Sequence, residues 1–258
     1  MAENRLYLPL AAVVAVTVLG SFALFGRTSL LVFAAAAAGL GVASFGRNRA
    51  YASELGIWSD TVAKAPGNAR ARGNLGRVLA TMPGRLDEAI AQYDEAVLLD
   101  PAAAEVHVNL GNLWYRVPGH MDEAIAQYKR ALSLRPDDAD AHYDLACGLG
   151  RVPGRLDDAI GQYEAALRLR PDFAAAHVNL GNALLKIPGR TNDAMAHLEE
   201  AIRLRPEWVE AHLALAMALV DLPGRGEEAR AQLREVLRLQ PENDDARKML
   251  GDSSGSPP

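Results

Sequence analysis

The sequence predicts an all-α protein in which an N-terminal transmembrane helical hairpin precedes a superhelix of stacked helical hairpins. Pro-Gly pairs recur every 35 residues from Pro83 to Pro223, and a second proline series keeps the same step from Pro66 to Pro241. Self-similarity at a fixed period of about 20 to 50 residues is typical of a solenoid. A third observation, two long uncharged stretches before residue 46, predicts the membrane hairpin.

Composition and charge narrow the class of protein. Half of the 258 residues are hydrophobic but only 6% are aromatic, which suits a helical array better than a large enzyme core. The single cysteine, Cys147, excludes a disulfide framework, and we interpret it as a small apolar filler of a helix. The first 50 residues carry a net charge of +3, so the remainder carries −8 of the total of −5. An acidic repeat domain argues against nucleic acid as a partner.

Residues 1–50 are predicted to form the membrane anchor. The uncharged stretches 7–25 and 30–45 are separated by a short turn that contains Arg27. At about 1.5 Å per residue, the first stretch is long enough to cross a bilayer and the second is slightly short. Two alternatives stay open, namely a cleaved signal peptide, for which the sequence offers only poor cleavage sites, and a single anchor without the second span.

Each 35-residue unit divides into two amphipathic helices, A and B. In the second unit, helix A is predicted from His107 and helix B from Met121, because apolar residues recur at the spacing i, i+3, i+4, i+7. The residue before proline avoids the α region and glycine tolerates a turn, so helix A ends at Pro-Gly. Asp or Asn at positions 87, 122, 157 and 192 is expected to supply negative or capping groups to helix B.

These residues carry a family resemblance. The pattern L-G-x-x-L followed by A-I-x-x-Y-x-x-A-L-x-L-x-P, as in Leu75-Gly76, Tyr93 and Pro101, resembles the tetratricopeptide repeat. The resemblance implies an α-solenoid of five full repeats. The step of 35 departs from the family's usual value of about 34 and also suits pentatricopeptide repeats, which read RNA. The Leu-Gly, Ala, Tyr, Ala and Pro positions, together with the acidic charge, oppose that alternative.

Partial repeats are predicted at both ends of the array. Residues 51–66 fit a lone helix B that joins the anchor to the array, with Trp58 in the place of Tyr93. The repeat domain, residues 67–251, ends in a capping helix that begins near Glu242. The last residues, 252–258, have nothing to bury and are predicted to be disordered.

A narrower resemblance covers the junction between anchor and array. Residues 46–76 are similar to the junction in transmembrane and tetratricopeptide-repeat O-mannosyltransferases, whose multispanning part carries the chemistry and whose repeats lie outside the cytoplasm. This chain has two predicted spans and no acidic catalytic motif beside them, so we expect no transferase activity of its own. The arginines at positions 5, 47 and 49 favour cytoplasmic termini. The resemblance shifts the expectation slightly towards the extracytoplasmic side.

The sequence indicates no catalytic, cofactor or metal site. His107, His142, His177 and His212 recur one per repeat, which places them too far apart to share one ion, so we interpret them as packing residues. No GxSxG, HExxH, P-loop or GxGxxG motif is present. We therefore predict a protein that is not an enzyme and that uses no cofactor or small-molecule substrate.

The remaining candidate is a binding surface on helices A. In relatives of the O-GlcNAc transferase type, helix A lines a concave groove, and an asparagine before each Leu-Gly pair belongs to a ladder that holds peptide backbone. Asn74, Asn109 and Asn179 match that position, Asp144 is a partial match and Ala214 departs from it. Nearly the same face of helix A carries three further candidates, which are Arg77, Asn112 and Asn182.

A second stripe consists of the cations Arg116, Arg151 and Lys186, each close before a Pro-Gly turn. They either complement the dipole at the C-terminus of helix A or form the rim of the groove, and both interpretations stay open. Thr81 and Asp221 break the stripe in the outer repeats.

Two functional hypotheses follow. The first is a membrane-anchored, non-catalytic scaffold that binds an extended segment of a protein partner in its concave groove, because an amide can donate to and accept from a peptide main chain. The second is an accessory subunit or remnant of a multispanning glycosyltransferase that presents acceptor protein to a separate catalytic chain. We expect no binding of RNA.

Overall fold

A computed structural model of the chain describes residues 53–251. The predicted membrane anchor, residues 1–50, and the predicted disordered tail, residues 252–258, lie outside the described residues. Between residues 53 and 251, no helix combines the length and the apolar character that a membrane span needs.

The described residues form twelve α-helices and contain no β-strand. In chain order the helices are α1 Glu54–Lys64, α2 Ala69–Ala80, α3 Leu86–Leu99, α4 Ala104–Tyr115, α5 Met121–Leu134, α6 Ala139–Leu149, α7 Leu156–Leu169, α8 Ala174–Leu184, α9 Thr191–Leu204, α10 Val209–Val220, α11 Gly226–Leu239 and α12 Asp244–Leu250. Five A/B hairpins run from α2/α3 to α10/α11, with α1 before them and α12 after them. The predicted all-α solenoid is confirmed.

Helices A and B of one repeat cross closely because one side contributes a very small residue and the other a ring. A Cβ atom added to Gly111 of α4 would lie 2.6 Å from the ring of Tyr128 in α5. Tyr128 is almost fully buried at this crossing. The glycine of the Leu-Gly pair is therefore needed for packing, as the spacing of the motif predicts.

The Pro-Gly pairs form the corner between helices A and B. In the third repeat, the backbone N–H of Arg155 donates to the carbonyl of Val152 at 3.2 Å, across Pro153 and Gly154. The φ angle of Gly154 is +78°. Proline at the second position and a positive φ at the third are typical of a type II β-turn. The other four corners share this closure and the positive φ of glycine.

The start of helix B carries the negative charge that the sequence predicts. Asp157 lies in the first turn of α7 and complements the helix dipole, and it does not cap the helix. The N-cap residue is Arg155, whose side chain makes no capping hydrogen bond. The Arg155 guanidinium instead pairs with the carboxylate of Asp158. The same arginine-to-acid pair, three residues apart, occurs at Arg85, Arg190 and Arg225.

Candidate binding groove

Helices A form the inner side of the array. Helices A of successive repeats approach one another directly, as α2 and α4, α4 and α6, and α8 and α10 do. Helices B meet mainly the helices A before and after them. We call the inner face of the helices A from α2 to α10 the groove.

All ten candidate residues lie on helices A or directly after them. Asn74, Asn109, Asp144 and Asn179, in the ladder position, are half-buried. The more exposed candidates are Arg77, Asn112, Arg116, Arg151, Asn182 and Lys186. The ladder position therefore sits at the floor of the groove and the other positions closer to its rim.

Four of these candidates meet in one cleft. Arg151, which follows α6, lies beside Asn179 and Asn182 of α8 and Lys186 after α8 in a cleft of about 210 Å³. The same cleft is lined by Tyr115, Cys147, Gly150, Leu156, Ala159, Tyr163 and Ala183. The candidates Asn74, Arg77, Asn109, Asn112, Arg116 and Asp144 lie outside it.

The further candidate Asn112, three positions after the ladder position, is engaged by hydrogen bonds within the protein. The hydroxyl of Tyr128 donates to Asn112 Oδ1 at 2.7 Å. This bond fixes the amide orientation, and Asn112 in turn forms a hydrogen bond with the carboxylate of Asp144. Both functions of the Asn112 amide are thus engaged, so Asn112 positions Asp144.

Asp144 carries an unusual carboxylate. Burial raises the pKa of Asp144 to about 6, the hydrogen bond from Asn112 opposes this shift, and the charges of Asp140 and Asp138 add to it. Among the described residues, Asp144 has no ion-pair partner. A half-buried carboxylate without a cation destabilises the fold at neutral pH, and such groups are concentrated at functional sites.

Cys147 belongs to the groove and does not only fill space. The Tyr163 hydroxyl lies 3.4 Å and the amide nitrogen of Asn179 3.6 Å from its sulfur. The same amide nitrogen donates to the hydroxyl of Tyr143 at 3.0 Å. The carbonyl oxygen of the Asn179 side chain is left as an acceptor. Sequence reasoning missed Cys147, although it occupies the position of Asn112 and Asn182 in the 35-residue register.

The cations of the groove differ in whether a carboxylate neutralises them. Arg77 pairs with Glu54 of α1 at 3.1 Å. Arg116, Arg151 and Lys186 form no ion pair within the described residues. The Arg151 guanidinium instead lies 4.9 Å from the centroid of the Tyr115 ring. The arginines at the starts of helices B differ from these three groove cations, because they are paired with acids.

The recurring histidines connect helix A to helix B within a repeat. The ring nitrogens of His142 lie 2.9 Å from the carbonyl oxygen of Pro136, before its own helix, and 2.7 Å from Gln162 Oε1 of α7. His107 and His212 repeat this arrangement. Between residues 53 and 251, no group of three or more potential metal ligands is found.

Sequence profiles of the TPR repeat match residues 83–117, 119–146 and 153–187, and a tetratricopeptide-repeat profile matches residues 188–252. Together these matches span more than half of the chain. The chain belongs to the tetratricopeptide-repeat family. Comparison with curated protein sequences gives no match. The likeness of residues 46–76 to the O-mannosyltransferase junction stays a prediction.

Solved tetratricopeptide-repeat structures share this fold. YrrB, described as a TPR protein with an unusual peptide-binding site, superposes with a TM-score of 0.62 at 21% identity and covers 75% of this chain and 97% of its own. MamA from Desulfovibrio magneticus RS-1 gives 0.58 at 21% identity, with coverage of 67% and 97%. TTC0263, a thermophilic TPR protein in Thermus thermophilus, gives 0.52 at 23% identity, with coverage of 71% and 97%.

Proposed function

We propose that this tetratricopeptide-repeat protein is a membrane-anchored, non-catalytic scaffold that binds an extended segment of a partner protein in its groove. The observation that carries the proposal is the cleft at the third and fourth repeats, where four residues chosen for their repeat positions meet. Amides, phenol rings and unpaired cations converge there. The peptide-binding site described for YrrB, which has the same fold, supports this use of the groove.

Three of the candidate asparagines are free to hold the main chain of the partner. The side chains of Asn74, Asn109 and Asn182 form no hydrogen bond within the described residues. An amide side chain can accept from a peptide N–H and donate to the next carbonyl, so this kind of binding depends little on the partner's side chains. Asn179 adds only its carbonyl, because its amide nitrogen is engaged by Tyr143.

The proposal is tested by replacing two of the free asparagines, Asn109 and Asn182. In the full-length chain, Asn109→Ala with Asn182→Ala removes up to two hydrogen-bonding groups, each of which contributes about 1 kcal/mol. A photocrosslinker at exposed Met217, in the register of Asn182, reports partner binding in cells. We expect crosslinked adducts at position 217 and about fivefold fewer adducts there in the double variant. We expect no adducts when the crosslinker is placed at Lys129, which is exposed on helix B.

The control variant is Lys129→Ala, which changes an exposed residue of α5 and should leave the adducts unchanged. Equal labelling from positions 129 and 217 would contradict the groove as the binding surface. If the double variant gave as many adducts as the parent protein, the two asparagines would not contribute to binding.

Anchoring is the second part of the proposal. It is motivated by the uncharged stretches 7–25 and 30–45. We expect the full-length protein to resist carbonate extraction from membranes and a variant without residues 1–50 to be released. A topology reporter fused after Gly251 would then give the side of the membrane, which we propose is extracytoplasmic.

A further inference from the structure

The fourth repeat departs from the rule by which the recurring histidines connect helix A to helix B. In the second, third and fifth repeats, Nδ1 of the histidine faces the side-chain oxygen of a glutamine on helix B. In the fourth repeat that glutamine is replaced by His197, whose Nδ1 atom lies 3.0 Å from Nδ1 of His177. Two imidazole nitrogens, one from α8 and one from α9, therefore face each other.

The His177 ring is held in the orientation that a metal ligand needs. It is buried, and its Nε2 atom lies 2.9 Å from the carbonyl oxygen of Pro171. Because a carbonyl can only accept, Nε2 carries the proton and Nδ1 is left with a lone pair. Histidines that bind metal ions almost always donate their second ring N–H in this way, which fixes the tautomer. His177 is thus prepared to bind through Nδ1.

His197 can present a second lone pair. Its Nδ1–H donates to Nδ1 of His177, and its Nε2 has no hydrogen-bond partner among the described residues. The ring is half-buried, so water reaches it and the proton can move from Nδ1 to Nε2. Burial lowers the pKa of His197, and the charge of His177 lowers it further. The ring is therefore neutral at pH 7, as a metal ligand must be.

The charges around the pair favour a cation. Glu164 of α7 acts electrostatically on His197 and forms no ion pair within the described residues. Two further carboxylates in the surroundings, those of Asp193 and Glu200, are each paired with an arginine. Among these groups, one negative charge therefore stays without a counter-charge.

The spacing of the two nitrogens indicates which ion fits. Metal–nitrogen bonds to histidine are about 2.0 to 2.1 Å long, so two bonds that end 3.0 Å apart meet at about 95°. This angle is close to the right angle between neighbouring ligands in square-planar and tetragonal Cu²⁺ sites, and further from the tetrahedral angle of Zn²⁺ sites. No third His, Cys, Asp or Glu joins the pair among the described residues, so water completes the coordination.

We propose that His177 and His197 bind one Cu²⁺ ion through their Nδ1 atoms. The proton of His197 moves to Nε2, and both rings turn so that their lone pairs meet at the ion in place of the N–H···N hydrogen bond. The ion joins α8 to α9 and stabilises the fourth repeat. This site is independent of the proposed scaffold function, because neither histidine lines the cleft at the third and fourth repeats.

Titration of the purified full-length chain with CuCl₂ tests the proposal. At neutral pH, in a buffer that does not bind metal ions, we expect one Cu²⁺ per chain and an electron paramagnetic resonance spectrum split by two imidazole nitrogens. His197→Gln restores the pair found in the other repeats, so this variant should fold and lose the ion. Cu²⁺ should raise the melting temperature of the parent and leave that of His197→Gln unchanged.

The third repeat offers a matched gain of the site. There Nδ1 of His142 lies 2.7 Å from Gln162 Oε1, and its Nε2 lies 2.9 Å from the carbonyl oxygen of Pro136. Gln162→His should create a second pair, so this variant should bind two Cu²⁺ ions. His120→Gln, which removes an exposed histidine that faces no other histidine nitrogen, is the control and should bind Cu²⁺ as the parent does.

The alternative results would overturn the site. If His197→Gln bound as much Cu²⁺ as the parent with the same spectrum, the copper would be an adventitious ion only, held by other groups. No bound Cu²⁺, or a spectrum with a single imidazole nitrogen, would equally overturn the pair as a site. Circular dichroism of each variant shows whether it folds. If His197→Gln failed to fold, the presence or absence of the second ion in Gln162→His would still decide.

Discussion

Asp144 is the residue that introduces a charge into the asparagine position of the repeat pattern. Three repeats carry asparagine in this position, and asparagine would keep the hydrogen bond from Asn112 without a charge. The carboxylate is half-buried and has no cation partner among the described residues, so it lowers stability at neutral pH. Residues that cost stability at a surface are commonly retained for binding.

Asp144→Asn should therefore stabilise the repeat domain in a pH-dependent way. Burial raises the pKa of Asp144 from its ordinary value of 3.8 to about 6, so the folded state holds the proton more tightly than the unfolded state. The penalty of ionisation is absent below about pH 4 and complete above about pH 6. We expect a gain of about 2 kcal/mol at pH 8 that shrinks towards zero at pH 4, measured by urea unfolding. A gain independent of pH would contradict this account.

His197 gives a second prediction at the residue scale, with the opposite dependence on pH. It takes the place of Gln162 and lies with its Nδ1 atom 3.0 Å from Nδ1 of His177. Burial lowers the pKa of His197, and the charge of His177 lowers it further, whereas Glu164 and Asp193 oppose the shift. The unfolded chain therefore takes up the proton first, and stability is lost as the pH falls below about 6.5.

His197→Gln restores the partner found in the other repeats and should remove this loss. We expect a higher melting temperature than the parent at pH 5.5 and the same value at pH 8, measured by circular dichroism. The matched control is Gln162→His, which should introduce the same sensitivity to acid into the third repeat. Parallel pH profiles of parent and His197→Gln would contradict the role of the pair.

The turn and the helix place opposite demands on glycine. Gly154 and Gly161 are both exposed, and an added Cβ at either meets no atom within 4 Å, so packing does not distinguish them. Gly154 has a φ of +78° in the corner, whereas Gly161 lies inside α7. Gly154→Ala should cost about 1 kcal/mol, and Gly161→Ala should stabilise by about 0.5 to 1 kcal/mol. Chemical denaturation of the two variants checks this, and equal effects would show that the corner is not strained.

Helices were more predictable than the contacts between them. The periodicity predicted the start of α5 at Met121, because the Pro-Gly corner fixes it. It placed the start of α4 at His107, but the helix begins at Ala104, since no strong capping residue marks this end and Ala103 caps it without a side-chain bond. Helix ends without such a signal are determined by packing, which sequence patterns do not contain.

The binding surface was likewise predictable only in part. The repeat register alone brought together Arg151, Asn179, Asn182 and Lys186, because equivalent positions face one side of a solenoid. The engagement of Asn112 by Tyr128 could not be predicted, since it depends on the side-chain geometry at a helix crossing.

Across the whole array, the chemistry of the groove changes from one end to the other. The first repeat offers Asn74 and Arg77, with Arg77 neutralised by Glu54. The middle repeats carry the unpaired cations, and the fifth is apolar, with Met217 and Val220 exposed to 54% and 51%. A partner segment that follows the groove would meet cations in the middle repeats and apolar side chains in the fifth repeat.

Because each repeat packs mainly against its neighbours, damage at one end should stay local. The capping helix α12 covers Leu233 and Val236 of α11, which are 1% and 0% exposed. Ending the chain after Pro241 uncovers them and should cost the last hairpin about 2 kcal/mol through lost apolar burial. We expect faster hydrogen exchange in α10 and α11 and unchanged exchange from α4 to α8. Binding at the cleft of the third and fourth repeats should then be retained, whereas uniform loss of protection along the array would show that it unfolds as one cooperative unit.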